Sequence, residues 1–192
     1  MTRAVGPDPF SFGISEEAMI ETIVIAIVVI VGAILIYAAT KPDTFQVSRA
    51  TSVQAPPDKI FPLVNNLRSH SLWSPFDKDR EMKRAYSGPA AGKGASLEFE
   101  GDRNVGSGRL AIADATQSSK ITMILDMIKP FKANNTVEFT FVPKGNSTTV
   151  TWAMHGKQPY LGKLISTFIN CDKMVGSQFE KGLADLKSVA EK

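Results

Sequence analysis

The chain of 192 residues is poor in the side chains that build catalytic and metal centres. It has one cysteine, Cys171, and two histidines, His70 and His155, and no group of His, Cys, Asp and Glu has metal-site spacing. A single cysteine excludes an intrachain disulfide, and its apolar neighbours predict an inert thiol. Neither histidine has a partner at dyad spacing, so we expect both to be solvated. We predict no catalytic residue, no metal and no cofactor.

The chain also lacks any block of basic residues. Its formal net charge is only +3, and its densest run of charges, residues 77–84, mixes both signs. Proteins that bind nucleic acid concentrate Lys and Arg in a patch or stripe. Nucleic acid is therefore not expected as a partner.

One long apolar stretch, Thr22 to Thr40, dominates the amino-terminal part of the chain. About 20 such residues, rising ~1.5 Å each, cover the ~30 Å hydrocarbon core of a bilayer. Ser15 is placed to cap a helix, and Pro42 to end it. The sequence therefore predicts a flexible tail over residues 1–14, a transmembrane helix over 15–41 and a folded domain over 42–192.

Two other interpretations of this stretch compete with a membrane span. A signal peptide has a basic start, an apolar region of ~7 to 15 residues and a small-x-small cleavage site. Here Glu16, Glu17 and Glu21 come first, and the apolar region is longer. A buried core helix of a soluble protein would show a polar stripe. Because no stripe interrupts the run, the membrane span is favoured over both.

The residues that flank the span favour a cytoplasmic domain. Within about 20 residues of the span, Arg3 is the basic residue on the amino-terminal side, whereas Lys41, Arg49 and Lys59 follow it. Four residues, 41–44, connect the span to the first predicted strand and reach at most ~14 Å. We therefore expect the domain to lie against the lipid headgroups.

Period-two alternation with turn signals between the runs predicts a mostly antiparallel β domain. The predicted strands are residues 45–53, 82–86, 95–100, 108–113, 121–128, 133–142 and 148–155, with a helix over 57–67 and a short helical turn over 70–73. From Tyr160 onward the period becomes 3.6, which predicts one long amphipathic helix. Gly176 and Gly182 within it indicate close packing or a bend. The fold class is α+β, a curved sheet wrapped around a long C-terminal helix.

The order of these elements carries a resemblance to a known superfamily. Together with the segments APPDKIFPLVNNLRSHSLWSPF, SGPAAGKG, NVGSGRLAI, TVTWAM and KMVGSQFEKGLADLK, it resembles the bacterial SRPBCC superfamily, in its polyketide-cyclase-like, START-related group. The resemblance implies a helix-grip fold with a deep hydrophobic cavity, here in a member anchored to the bacterial inner membrane. Members include lipid carriers, ligand binders, cyclases, oxygenase subunits and chaperone cofactors, so the fold implies no single activity.

Strand alternation places Met and aromatic side chains on one face of the sheet. These side chains either fill the core or line an adaptable apolar pocket. The candidate ligand-cavity residues are Trp73, Phe76, Leu97, Phe99, Met123, Leu125, Met127, Phe139, Phe141, Trp152, Met154 and Phe168. Polar candidates on the strands are Tyr86, Arg109, Asn134 and Asn135. Arg109 has the same strand parity as Ala111, so we expect its side chain to point away from the cavity.

Three hypotheses about function follow. The first is a single-pass, membrane-anchored module that binds or carries an apolar, lipid-like molecule, with the bilayer and that molecule as its partners. The second is an accessory subunit that meets other membrane proteins through the small residues Gly32 and Ala33 of its span, with its cavity collapsed. The third is a cyclase-type enzyme.

Overall fold

The computed structural model describes residues 16–79, 81–102 and 105–192. The predicted tail, 1–14, and Ser15 lie outside the described residues. The chain divides into two compact units, Met1–Lys41 and Pro42–Lys192.

The described part of the first unit, residues 16–41, contains the helix α1, Glu16–Thr40. Its apolar side chains, such as Ile25, Val28 and Ile36, are exposed. By length and composition, α1 is able to cross a membrane. A signal sequence near the amino terminus would satisfy the same test.

Within residues 42–79, 81–102 and 105–192, the second unit has seven strands and three α-helices. In chain order they are β1 (Thr44–Val53), α2 (Pro57–Asn65), β2 (Lys83–Ser87), β3 (Ser96–Glu100), β4 (Ser107–Thr116), β5 (Lys120–Lys129), β6 (Ala133–Lys144), β7 (Ser147–Lys157), α3 (Tyr160–Phe168) and α4 (Cys171–Ala190). Two short 3₁₀ segments, Leu67–Leu72 and Pro75–Asp77, follow α2.

The strands form one antiparallel sheet in the order β1-β7-β6-β5-β4-β3-β2. Register shifts in β4, at Ser107/Gly108 and Ile112/Asp114, interrupt its pairing with β5 and increase the local twist. A bent sheet of this kind has one concave face, and α2 and α4 pack against the sheet. The α+β class and the curved sheet with a C-terminal helix are confirmed.

Arg49 joins β1 to the terminal helix. Its guanidinium lies 3.0 Å from the Asp172 carboxylate and 2.7 Å from that of Glu180. Gly176 leaves room for it, because a Cβ there would lie 2.0 Å from Arg49 Nη2. The hydrogen bond from Arg49 lowers the pKa of Asp172 below its ordinary value. The ion pairs fix the position of α4 over the sheet.

The prediction that the terminal helix runs unbroken from Tyr160 is wrong, because a short helix precedes the long one. α3 ends at Phe168, and Ile169 adopts an extended backbone with φ −116° and ψ 126°. The Asn170 side chain then caps α4 by accepting a hydrogen bond from the Lys173 amide, at 2.9 Å. The break changes the helical phase between Phe168 and the residues of α4.

Candidate functional site

A cavity of about 270 Å³ lies between the concave sheet face and the segments that cover it. Its wall is mostly apolar and draws on the Leu67–Leu72 and Pro75–Asp77 segments and the residues beside them, strands β3 to β7, and α4. The structure places ten of the predicted residues around it: Trp73, Phe76, Leu97, Phe99, Met123, Leu125, Met127, Phe139, Trp152 and Met154. The strand alternation therefore locates most of this wall.

Two predicted residues do not line the cavity. Phe141 has the expected parity, but its ring packs against Phe61 of α2, with centroids 5.7 Å apart. At that end of the sheet, α2 fills the space. Phe168 is 70% exposed, because α3 ends there and the phase that pointed it inward is lost. Both assignments are corrected.

Further lining residues were not among the predicted ones. The apolar ones are Met82, Val105, Leu110, Val137, Val175 and Phe179, and the polar ones are His70, Ser74 and Asp77. Asn135, one of the predicted polar candidates, also lines the cavity. For Val137, the period-two pattern of β6 carried the signal, since Val137 has the same strand parity as Phe139. For His70 and Asp77, the sequence carried none, because short 3₁₀ segments have no long periodicity.

An aromatic cluster centred on Trp152 forms part of the wall. Its indole ring stacks on Phe179 at a centroid distance of 4.1 Å and meets Trp73 edge-on at 5.5 Å. Phe139 lies 5.0 Å away on the same sheet face. Such pairs are worth about 0.5–1.5 kcal/mol beyond burial, so they stabilise the packing of the sheet against α4 at this part of the wall.

The helix α4 approaches this cluster closely at Gly182. A Cβ at that position would lie 2.7 Å from Cζ3 of Trp152 and 2.9 Å from Cδ of Pro75. Any side chain there would displace the indole or the helix. Glycine therefore allows α4 to close over the aromatic part of the cavity.

His70 is buried, which corrects the expectation of a solvated residue. Its Nε2 lies 2.8 Å from the carbonyl oxygen of Val64. A carbonyl only accepts, so Nε2 carries the proton and Nδ1 of the neutral ring is an acceptor. Burial lowers the pKa of His70, against the opposing effects of the Val64 hydrogen bond and the Asp77 charge. The ring is therefore a neutral part of the wall at pH 7.

Asp77 is a second buried polar residue of the wall and is held by Arg84. Arg84 Nε donates to Asp77 Oδ1 at 2.6 Å, and its Nη2 donates to the Asp77 carbonyl oxygen at 2.9 Å. The same guanidinium donates to the carbonyl oxygens of Asp79 and Met82. Arg84 thus fixes the carboxylate in place and balances its charge.

The cavity wall combines many apolar side chains with a few polar ones. Within the described residues, no group of three or more His, Cys, Asp and Glu side chains is placed to hold a metal ion. The Nε2 of His70 is engaged by a backbone carbonyl. What the arrangement offers is a shaped apolar volume with a few fixed polar atoms, which is the usual design of small-molecule sites.

The domain matches a known family over nearly its whole length. A family model described as polyketide cyclase / dehydrase and lipid transport matches residues 44–191. The chain belongs to this family. The matched range runs from β1 through α4, so it contains every element that lines the cavity. No curated protein matches the chain.

Solved structures share the fold at low sequence identity. A Chromobacterium violaceum protein superposes with a TM-score of 0.55 at 12% identity, over 79% of this chain and 99% of that one. A Thermobifida fusca protein gives 0.55 at 19%, over 76% and 92%. The Aha1 protein of Colwellia psychrerythraea, solved as a dimer, gives 0.54 at 13%, over 77% and 96%. At these identities the similarity establishes the fold of the family member and nothing further.

Proposed function

We propose that this family member is a single-pass, membrane-anchored module that binds or carries an apolar, lipid-like molecule at the membrane surface. The observation that carries the proposal is the cavity of about 270 Å³ with its mainly apolar wall. The accessory-subunit hypothesis expects a cavity filled by its own side chains. An open volume of this size favours the binding function.

The cavity volume limits the size of the ligand. An engineered apolar cavity of ~150 Å³ takes up benzene, and drug-sized ligands occupy sites of ~300 to 1,000 Å³. At about 270 Å³, this cavity suits a compact apolar molecule or one segment of an acyl chain. The Met side chains of the wall, Met123, Met127 and Met154, are flexible enough to adapt to either.

An exposed apolar rim supports action at a membrane surface. It consists of Ile128 and Phe131 near the β5–β6 turn and Tyr160, Leu161 and Phe168 on α3, all exposed. The pairing of Thr44 with Lys157, and the contact of Lys163 Nζ with Asp43 at 2.5 Å, put the start of β1, the end of β7 and α3 at one end of the domain. This is the end from which the chain leads back to α1.

The membrane side proposed for the domain is the cytoplasmic one. Lys41, Arg49 and Lys59 follow α1, and by the positive-inside rule such residues stay in the cytoplasm.

Whether α1 is retained in the mature protein is checked by measuring the intact mass of the membrane-extracted chain after an alkaline wash. A mature chain that lacks the apolar stretch would identify it as a cleaved signal sequence.

The deciding experiment is native mass spectrometry of the full-length chain extracted from its own membranes. We expect a small apolar molecule at unit stoichiometry. Val137→Phe fills the cavity, because Val137 is buried and lines it, and should abolish the bound mass. Val142→Phe makes the same change at an exposed position of the same strand and should retain the bound mass.

Two outcomes would contradict the proposal. The first is a chain that carries no small molecule in any variant. The second is a protein complex without a small molecule, unaffected by Val137→Phe, which would favour the accessory subunit. A Gly32→Leu variant then tests whether the span makes the contact.

A further inference from the structure

The apolar side chains of α3 lie on one face of the helix. They recur at positions i, i+3, i+4 and i+7, which share one side of an α-helix, and they are Leu161, Leu164, Ile165 and Phe168. The opposite face is small or polar and consists of Gly162, Lys163, Ser166 and Thr167. In a helix on the surface of a soluble domain, the apolar face packs on the core and the polar face meets water.

The orientation of α3 is the reverse of this. At the centre of its apolar face, Leu161 is 56% exposed and Phe168 is 70% exposed. On its polar face, Lys163 is only 8% exposed. The next helix, α4, has the ordinary orientation, with Phe179 and Leu183 buried against the domain. Within the part of the chain that the structure describes, the centre of the apolar face of α3 is left uncovered.

Lys163 holds α3 in this reversed orientation. Its Nζ lies 2.5 Å from Oδ1 of Asp43, and the N–H of Gln158, just before α3, donates to the Asp43 carbonyl oxygen at 2.7 Å. The hydrogen bond and the charge of Lys163 lower the pKa of Asp43 below its ordinary value, so the carboxylate is ionised at neutral pH. A buried ammonium group requires such a partner. The ion pair therefore keeps the polar face of α3 turned toward the start of the domain.

Asp43 is also close in sequence to the proposed membrane span. Lys41 and Pro42 alone separate it from Thr40, the last residue of α1. Three Cα–Cα steps reach at most about 11 Å. Because Lys163 is bound to Asp43, α3 is kept within a short distance of the membrane surface at which the span ends.

Exposed lysines flank α3 on both sides in sequence. Lys157 ends β7, and Lys173 lies in the first turn of α4. The acidic neighbour of Lys173, Asp172, is paired with Arg49. A lysine beside a bilayer extends its ammonium group toward the lipid phosphates, and anionic lipids attract it. The charge around α3 therefore complements an anionic lipid surface.

We infer that α3 is an interfacial helix that lies in the surface of an anionic bilayer, with its apolar face between the lipid headgroups. This inference rests on the membrane anchoring in the proposed function and identifies a second lipid-binding element of the chain. An apolar face with lysines beside it is the pattern of helices that bind in the plane of a membrane. A partner protein could cover the same face, but the link through Asp43 to the end of α1 favours the bilayer.

The test is a nitroxide scan of the full-length chain in nanodiscs. In a Cys171→Ser background, each residue from 161 to 168 except Lys163 is replaced in turn by a spin-labelled cysteine. Collisions with oxygen, which concentrates in lipid, are compared with collisions with a water-soluble nickel chelate. We expect the ratio of oxygen to nickel collisions to oscillate with the 3.6-residue period of the helix. It should be several-fold higher at Leu161 and Phe168 than at Ser166 and Thr167.

The lipid composition tests the role of charge. Phosphatidylglycerol added to a phosphatidylcholine nanodisc should raise the ratio at Phe168. Lys157→Gln and Lys173→Gln together should remove this increase. Lys144→Gln makes the same change at an exposed position in the β6–β7 turn, at the opposite end of the sheet, and should preserve the increase. Equal ratios in the two lipid mixtures would overturn the assignment to an anionic surface.

The outcomes separate this inference from the proposed function. Nickel collisions that peak at Leu161 and Phe168 would place the apolar face in water and overturn the inference. Few collisions with either reagent at these positions would show a covering protein, from a partner or a second copy, and would overturn it as well. Either result leaves the binding function standing if native mass spectrometry finds the small molecule. An oscillating ratio with no small molecule in any variant contradicts the binding function alone.

Discussion

The rings of Trp152 and Phe179 lie face to face, 4.1 Å apart and within 8° of parallel. One belongs to β7 and the other to α4, so the contact joins the sheet to the helix that covers it. Both rings also line the cavity. The same pair therefore supports the fold and shapes the binding volume.

Trp152→Ala should lower the free energy of unfolding by about 3–5 kcal/mol, because a large buried side chain is removed and leaves a void. Urea denaturation of the full-length chain, followed by far-UV circular dichroism, measures it. Phe168→Ala serves as the control, since Phe168 is exposed and should change stability by less than about 0.5 kcal/mol. Equal effects of the two variants would contradict the packing described here.

Gly182→Ala should destabilise the domain even though alanine is the better helix former. The added Cβ would lie 2.7 Å from Trp152, and overpacking of this kind costs about 1–3 kcal/mol. Lys181→Ala, at the exposed neighbouring position, should be neutral or slightly stabilising. Thermal unfolding of the two variants side by side gives the comparison. A Gly182→Ala variant with a raised Tm would show that α4 does not approach the indole.

Stability should fall as the pH decreases from 7 to 5. Burial lowers the pKa of His70 in the folded state, while the unfolded chain titrates near the ordinary value of 6.5. Below that value, the unfolded state binds a proton that the folded state does not, so protonation favours unfolding. The contribution of His70 to the free energy of unfolding is fully present above pH 6.5. It is lost as the pH falls from 6.5 toward the pKa of His70 in the folded state.

The two histidines of the chain provide a matched pair for this measurement. His70→Gln should flatten the dependence of the unfolding free energy on pH between 7 and 5. His155→Gln, at an exposed position, should preserve the wild-type slope. A slope that disappears only in His155→Gln would contradict the assignment.

The apolar rim should lie within reach of lipid. In a Cys171→Ser background, single cysteines introduced by Phe131→Cys, Phe168→Cys and Val142→Cys are labelled with a fluorophore and placed in nanodiscs that contain brominated lipids. Labels at Phe131 and Phe168 should be quenched. The label at Val142, which lies toward the opposite end of the sheet, should not be. Equal quenching at all three sites would remove the rim from the proposed function.

Alternation along the strands identified most of the predicted cavity-lining residues from the sequence. Met123, Phe139 and Trp152 point into the cavity because period-two alternation is a property of each strand by itself. Phe141 shows the limit of that rule. It obeys the alternation, but whether an inward residue meets a ligand or a helix depends on α2, which packs there from elsewhere in the chain.

The break between α3 and α4 was hidden by the apolar pattern, which continues across it at helical spacing. The local signal was Asn170, a good N-cap residue, but capping residues also occur within helices and do not by themselves end a helix.

The burial of His70 was not predictable from the sequence either. It follows from the hydrogen bond to Val64 and from the packing of Trp73 on its ring, at 4.9 Å, which no periodicity encodes.

The pairing of β1 with β7 has a consequence for the order of folding. β1 is the first strand of the domain to be synthesised, yet its neighbour in the sheet is the last strand, with Phe45 opposite Gly156. Pairing between distant segments is slow, and an unpaired strand edge is prone to wrong partners. The domain therefore completes its sheet only after nearly the whole chain has left the ribosome. Until then, β1 lacks the strand that it pairs with in the finished sheet.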